Sequence, residues 1–317
     1  MSRIVESLRH TFRHAVYRYD DLQEKGFLEG LLSDLERRLG DRAGQYEFVL
    51  YSSADNTALP DALASASPRK RVLIYISDEM SRVPRHLCDK FFAIFKCYLP
   101  SDRGLPDNLF PLPLGCTAGV ADRPVRAPAE RSVNVFFSGN LNRNRVPLYR
   151  ELTWLRHLPC PARSVPRLMH RAGWLPRDCS RIFPASHITF TGGFQRGMSG
   201  EDYCRMLYDA KIALCPCGFV SRESFRHYEA LRAGCVVISE PLPDTRFYRG
   251  SPIIVLDNWC NLRRVVQDLL REPERLQTLH HQTRKWWQDV CCEEAVARFM
   301  KDKLDLLENA RSPSGEP

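Results

Sequence analysis

Between Lys211 and Glu240 the chain passes through an apolar run (KIALC), a short loop, a helix-patterned stretch closed by Gly234, and a second apolar run (CVVIS). Strand, helix and strand in that order make a crossover unit of a parallel sheet. Gly234 suits the helix end, where a left-handed residue is wanted. This unit constrains the fold more than any other feature, because the same alternation recurs on both sides of it.

In the second half, Ser132–Phe137 reads as a strand from its β-branched and aromatic content, and Ser138-Gly139-Asn140 turns the chain toward a helix over Val146–His157. His187–Thr191 and Ile253–Leu256 read as strands, and Glu201–Ala210, Arg222–Ala233, Cys260–Arg271 and part of Pro273–Asn309 as helices. In the first half, Ile4, Leu8, Phe12 and Val16 recur every four residues among basic side chains, and a second helix is expected over Leu28–Leu39. Tyr46–Tyr51 and Arg71–Ser77 read as strands, Phe91–Leu99 as helix passing into strand, and Leu109–Leu114 as an extended segment. The expected class is α/β. The expected division is a domain over 1–120, a linker rich in Ala, Pro and charge over 121–131, a second domain over 132–310 whose last helix packs back on the first, and a disordered tail over 311–317.

A chain of 317 residues with 44% hydrophobic and 26% charged residues is an ordinary globular composition. Its net charge of +8 favours an anionic partner: a nucleotide diphosphate, a lipid phosphate, an acidic membrane surface or nucleic acid. No aromatic RNA-binding motif or zinc-finger spacing supports nucleic acid. The first residues lack the apolar run of a secretory signal, and no segment is apolar enough to span a bilayer. The expected location is therefore the cytoplasm, with peripheral attachment at the inner face of the membrane as an option. The basic helix near Ile4 can lie on such a surface or pack on a core, and packing is the commoner fate. The twelve cysteines are scattered; Cys215-Pro-Cys217 and Cys291-Cys292 lack a second pair at zinc spacing.

The loop after KIALC lies at the carboxyl end of a strand, where open α/β sheets bind ligands. Ser221 is the expected N-cap of a helix starting at Arg222, whose free N–H groups would suit a diphosphate. Arg226 and Glu229, three residues apart, share a face. The guanidinium can pair with a diphosphate, the carboxylate with a ribose diol, and Ser224 can add a hydroxyl in the first turn, with Glu223 beside it. The plainer reading is a surface ion pair and two helix caps.

The run from Ser224 to Ile238 (SFRHYEALRAGCVVI) resembles the exostosin-type pattern S-x-R-x-x-(D/E)-A-hydrophobic-x-x-G-C. KIALCPCG and Phe136-Phe137-Ser138-Gly139 resemble two further fragments of that family, and the likeness spans Val133–Asp257. It departs at Val237, where proline is usual, and at Ser138, where arginine is frequent; Arg143 and Arg145 follow closely and can supply that charge. The resemblance implies a GT-B-like fold, two Rossmann-like domains facing a cleft, with the nucleotide-sugar on the C-terminal one. It implies Ser224 and Arg226 at the diphosphate, Glu229 at the ribose and Gly139 at the start of the donor domain.

The implied activity is a glycosyltransferase of a bacterial, cytosolic type that moves a sugar from a nucleotide-sugar to a glycan or lipid-linked saccharide in surface polysaccharide synthesis. It would use no cofactor. No Asp-x-Asp motif is present, which favours metal independence. An inverting transfer then needs a general base from the N-terminal domain. Asp78 and Glu79 follow the strand RVLIYIS and are the candidates, against the reading that Asp78 merely caps a turn; His86 and His187 are weaker ones. The loop Gly192–Gly197 can approach a phosphate by its backbone, and Trp286-Trp287 suits interface packing better than a sugar platform. A non-catalytic GT-B-like module that binds nucleotide or glycan is the alternative, and a basic protein that binds membranes or nucleic acid a third.

Overall fold

The computed structural model describes residues 2–12, 18–52, 67–159, 164–193 and 197–311. Val16, Phe194–Arg196 and all of the tail beyond Arg311 lie outside the described residues. Along the first part of the chain run α1 (Arg3–Thr11), α2 (Lys25–Leu39), β1 (Tyr46–Ser52), β2 (Lys70–Ile76), β3 (Ala93–Lys96) and β4 (Leu109–Pro111). Then come β5 (Val133–Asn140), α3 (Val146–Glu151), α4 (Ser164–Arg171), β6 (His187–Thr191), α5 (Gly200–Tyr208) and β7 (Ala210–Cys215). The last are α6 (Phe225–Arg232), β8 (Val236–Ser239), β9 (Ile254–Val255), α7 (Leu262–Arg271), α8 (Pro273–Trp286) and α9 (Glu293–Arg311).

Two compact units result: Met1–Ala118 with Pro243–Arg249 and Gln288–Pro317, and Gly119–Leu242 with Gly250–Trp287. The stretch read from composition as a linker clusters with the second unit. Arg131, buried there, donates to the carbonyls of Ala210 (2.6 Å) and Ala233 (2.7 Å), which holds the stretch against the second sheet.

In the first unit four parallel strands pair in the order β1-β2-β3-β4, with Tyr46 opposite Lys70 and Val72 opposite Ala93. Leu73, Tyr75 and Ile94 lie in its core. The apolar side chains Ile4, Val5, Leu8 and Phe12 at α1 are buried, so this helix packs on the core. Helix α9 belongs to this unit. Phe299 meets Phe95 and Phe110 edge-on, and Glu308 receives Arg42 and Lys70 (2.5 Å each) and the Tyr46 hydroxyl (2.6 Å).

In the second unit five parallel strands pair in the order β6-β5-β7-β8-β9. β7 and β8 are buried on both faces, as runs without alternation require. Phe137, Ile188, Ile212, Val236 and Trp259 form its core with α3 and α7.

Three local expectations need correction. Phe91–Leu99 contains no helix; a 3-10 turn over Arg85–Lys90 leads directly into β3. Val146–His157 is not one helix, since α3 stops at Glu151 and a 3-10 turn follows at Trp154. The Thr153 hydroxyl bonds back to the Tyr149 carbonyl (3.0 Å), a competition with the ladder typical of threonine. The helix carrying Arg226 begins at Phe225, not Arg222, for a reason that belongs to the site.

Candidate functional site

The order β6-β5-β7 means that the chain leaves β5 toward one edge and returns on its other side. At such a reversal the two crossovers depart to opposite faces and leave a crevice beyond the carboxyl ends of the strands. Here those ends are Ser138-Gly139-Asn140 of β5 and Cys215 of β7, with the loop 216–224 following.

That loop is fixed by short-range bonds. Gly218 N–H donates to the Ser221 carbonyl (2.9 Å), and a Cβ on Gly218 would lie 2.8 Å from the Glu223 carbonyl oxygen, so only glycine closes this turn. After β5, the Asn142 side-chain oxygen accepts from the N–H groups of Asn144 (2.9 Å) and Arg145 (3.1 Å). The side-chain amides of Asn142 and Asn144 donate to the Gly218 carbonyl (3.3 and 3.2 Å), and Asn144 also to that of Phe219 (2.9 Å). Two asparagines thus tie the two strand ends together. Sequence reasoning missed both; the pattern Asn-x-Asn after a strand is the signal that marks such a turn.

The turn over Gly218 engages the Ser221 carbonyl, and the Ser221 hydroxyl accepts from the Glu223 N–H (3.3 Å) inside the loop, short of the helix. Ser224 is the cap instead, in extended conformation. Its N–H donates to Nδ1 of His227 (3.1 Å), so His227 takes the place that glutamate holds in a capping box. Nδ1 also lies 3.1 Å from the Ser224 carbonyl, and Nε2 lies 2.9 Å from the Ser239 hydroxyl, which donates to the Glu240 carbonyl (3.0 Å). Burial pushes His227 down to about 4, so the ring is neutral at physiological pH.

Two arginines converge on the end of β5. Arg226, on the first turn of α6, donates from Nε (3.3 Å) and Nη2 (3.0 Å) to the Ser138 carbonyl. Arg145 donates from Nη1 to the Asn140 carbonyl (3.0 Å) and side-chain oxygen (2.6 Å), and from Nε to the Cys217 carbonyl (3.3 Å). Both guanidiniums lie 5.8 Å from the ring centroid of Phe137. Between them is Gly139, where an added Cβ would lie 2.8 Å from Nη2 of Arg226 and 2.9 Å from Nη1 of Arg145. Among the described residues neither arginine forms an ion pair with a carboxylate; every hydrogen-bond partner is a neutral oxygen. Burial, and then the like charge of Arg226, push Arg145 down to about 9. It still carries its charge at neutral pH. Two adjacent cations without an ion-pair partner among the described residues favour an anion in the crevice, and guanidiniums suit one with several oxygens.

The other expected site residues fall into place unevenly. Ser224 is half-buried in the first turn of α6, and Arg143 is exposed in the turn after β5. Glu223 is buried and accepts from the Tyr228 hydroxyl (3.3 Å). Glu229 is buried too, and its Oε2 accepts from the Tyr203 hydroxyl of α5 (3.1 Å). Burial, then the negative charge of Glu229, raise Tyr203 well above its ordinary range, so it remains a donor. In this arrangement Oε2 of Glu229 is engaged by α5.

In the first unit the two expected bases separate. Asp78 is fully buried and paired with the equally buried Lys96 of β3 (3.1 Å), whose ammonium also donates to the Cys97 carbonyl (2.9 Å). A carboxylate so enclosed is closed to an acceptor hydroxyl, which corrects the expectation for Asp78; breaking such a pair leaves a buried charge uncompensated. Glu79, next in the chain, is only half-buried. His187 is stacked on Phe136 (5.9 Å) in β6, and His86 lies in the 3-10 turn before β3. Among the described residues no cluster of His, Cys, Asp or Glu could hold a metal ion, and no helix is long and apolar enough to cross a membrane.

No protein-family profile and no curated protein matches the chain. Among solved structures it is similar to TarM, a GT-B glycosyltransferase, with a TM-score of 0.51 and 8% identity over 87% of this chain and 58% of TarM. A likeness to the GtfA/B complex has a TM-score of 0.42 and 9% identity over 82% of this chain and 57% of the other. The chain spans less than two thirds of the length of either. What the TarM likeness establishes is the fold: α/β, with two parallel sheets, of GT-B type.

Proposed function

We propose that the chain is a glycosyltransferase that takes its sugar from a nucleotide-sugar and seats the diphosphate between Arg145 and Arg226. One observation carries the reading: two guanidiniums with no carboxylate partner among the described residues meet over Gly139, at the reversal of a parallel sheet. Glycosyl transfer leaves a nucleoside diphosphate, and charge accumulates on it as the sugar departs. Fixed cations at that point stabilise the transition state more than the ground state, in the role a metal ion fills elsewhere. Ser224 adds a hydroxyl at the first turn of α6, and Arg143 adds charge at the mouth. The fold type shared with a GT-B glycosyltransferase agrees with this chemistry. The acceptor class is a glycan or lipid-linked saccharide, as in surface polysaccharide synthesis, and the transfer is inverting and metal-independent.

A panel of UDP-, GDP- and CMP-sugars tested by thermal shift should contain at least one that raises the melting temperature, since a ligand selective for the folded state does so. Arg226→Ala should remove that shift and abolish transfer while the unliganded protein melts nearly as before. If this variant keeps both, the donor site lies elsewhere.

One observation favours the non-catalytic alternative, in which the same crevice binds a nucleotide without chemistry: Asp78 is locked to Lys96. Glu79→Gln separates the two. In an enzyme whose base is Glu79, this change slows turnover and leaves donor binding intact; a binding module shows neither transfer nor donor hydrolysis to begin with.

A further inference from the structure

The crossover between β5 and β6 carries a surface that the donor site does not use. Five of the ten exposed large apolar residues among the described ones fall within 154–174: Trp154, Leu158, Val165, Leu168 and Trp174, the last two more than 70% exposed. Single exposed apolar side chains are ordinary, but a concentration of them marks an interaction surface. They are not frayed. Helix α4 buries Pro166 and His170, with His170 edge-on to Tyr149 of α3 (5.6 Å), which leaves Val165 and Leu168, one turn apart, on its outer side. The Tyr149 hydroxyl donates to the Pro176 carbonyl (2.8 Å), Trp174 N–H to that of Met169 (3.0 Å), and Arg150 to that of Leu158 (2.8 Å).

The same stretch is cationic. Arg156, Arg171, Arg177 and Arg181 are exposed. The two acidic residues described between positions 150 and 182 are both engaged: Glu151 by Arg263 (3.2 Å) and Asp178 by the Ser180 N–H (2.8 Å).

We infer that this face rests on an anionic lipid surface. Side chains as exposed as Leu168 and Trp174 project outward, which fits insertion into a deformable apolar layer better than filling a preformed groove. Tryptophan settles at the headgroup level, and arginines lie along the surface with their charge at the lipid phosphates. A short helix with Leu and Val outward between arginines is the element that does this. The inference is independent of the donor site, and it moves the membrane contact from α1, whose apolar side chains are buried, to the second unit.

The test is co-sedimentation of the full chain with vesicles of phosphatidylcholine, alone or mixed with phosphatidylglycerol. Binding should require the anionic lipid and weaken with salt. The exposed-site variant Trp154→Ser, Leu168→Ser, Trp174→Ser should bind about tenfold or more weakly, at constant melting temperature. The variant Arg156→Gln, Arg171→Gln, Arg177→Gln, Arg181→Gln should lose the salt dependence. Wild-type binding by the serine variant, or loss of binding on replacing Arg3 and Arg9 of α1 instead, overturns the inference. So does failure to bind vesicles accompanied by concentration-dependent dimers that the serine variant lacks, which would assign the face to a second copy of the chain. Nucleotide-sugar stabilisation, measured on the same variants, should be unchanged, so that failure here and failure of the donor-site reading remain distinct.

Discussion

Arg145 and Arg226 make the residue-scale case, because two like charges meet with no ion-pair partner among the described residues. Each donates only to neutral oxygens, and the charge of Arg226 raises the cost of that on Arg145. Replacing a hydrophobic or neutral pair by such a site lowers stability, which is the usual sign of a binding function. A pH prediction follows. In the free protein Arg145 is held near 9, below its unfolded value, because its charged form is disfavoured. A bound diphosphate favours that charged form. Donor affinity should therefore be flat from neutral pH to about 8 and fall as pH rises through about 9, where binding must take up a proton. Calorimetric titration of the stabilising nucleotide-sugar across this range checks it, and Arg145→Gln should be weaker at neutral pH and flat throughout. A wild-type profile without the fall would mean that Arg145 does not meet the anion. Arg226 was legible in the sequence, since a helix one loop beyond a strand end must present its first turn to the crevice. Arg145 was legible only as a nearby charge. What aims it is the Asn142 turn, and which way a turn directs its fourth residue is not written in the spacing. Glu229 is the opposite case: it lies on α6 as expected, but whether its carboxylate meets solvent or Tyr203 depends on a helix earlier in the chain.

At the scale of elements, the strands were legible because buried parallel strands are short apolar runs with little else they can become. β6 is His187–Thr191, as its composition indicates, and β7 and β8 lie within a residue of expectation. Helix starts were less so. Serines at 221 and 224 are equally good caps by type, and the choice is made by Gly218, which folds the first into a turn, and by His227, which completes the second. The cap also responds to acid. His227 and His280 are both held down to about 4 by burial, and Nδ1 of His280 lies 2.6 Å from the Gly234 carbonyl. Their folded values are below the unfolded one near 6.5. The neutral rings therefore contribute stability that is complete above about 6.5 and is lost as pH falls toward 4. His227→Ala should cost about 1–3 kcal/mol at neutral pH through the lost cap and the unpaired Ser224 N–H, and should flatten the acid limb of the stability curve. Urea melts at pH 7, 6 and 5 measure both. An acid limb as steep as wild type would show that other groups set it.

At the scale of the whole molecule, sequence patterns are local and do not by themselves mark every point where the chain passes from one unit to the other. The chain crosses between units at residues 118, 242, 249 and 287; the first lies beside the Ala- and Pro-rich stretch 121–131, whereas no boundary is expected from the sequence at the other three. The consequence is testable. α9 buries Val296, Phe299, Met300, Leu304 and Leu307 in the first unit, while α8 serves the second, where His280 meets the Gly234 carbonyl. Each large buried apolar side chain lost costs about 2–5 kcal/mol. Losing all five costs on the order of 10–25 kcal/mol, comparable to or above the roughly 5–15 kcal/mol that holds a domain together. A chain ending at Trp287 should thus leave the first unit unfolded, open to limited proteolysis within 1–118, and still present Arg145, Arg226 and Gly139 in a folded second unit. Scanning calorimetry should show one smaller transition that the stabilising nucleotide-sugar still raises. Protection of the first unit in this truncated chain would mean that its core closes without α9. Loss of the nucleotide response with the second unit still folded would mean that the donor site needs residues from outside it.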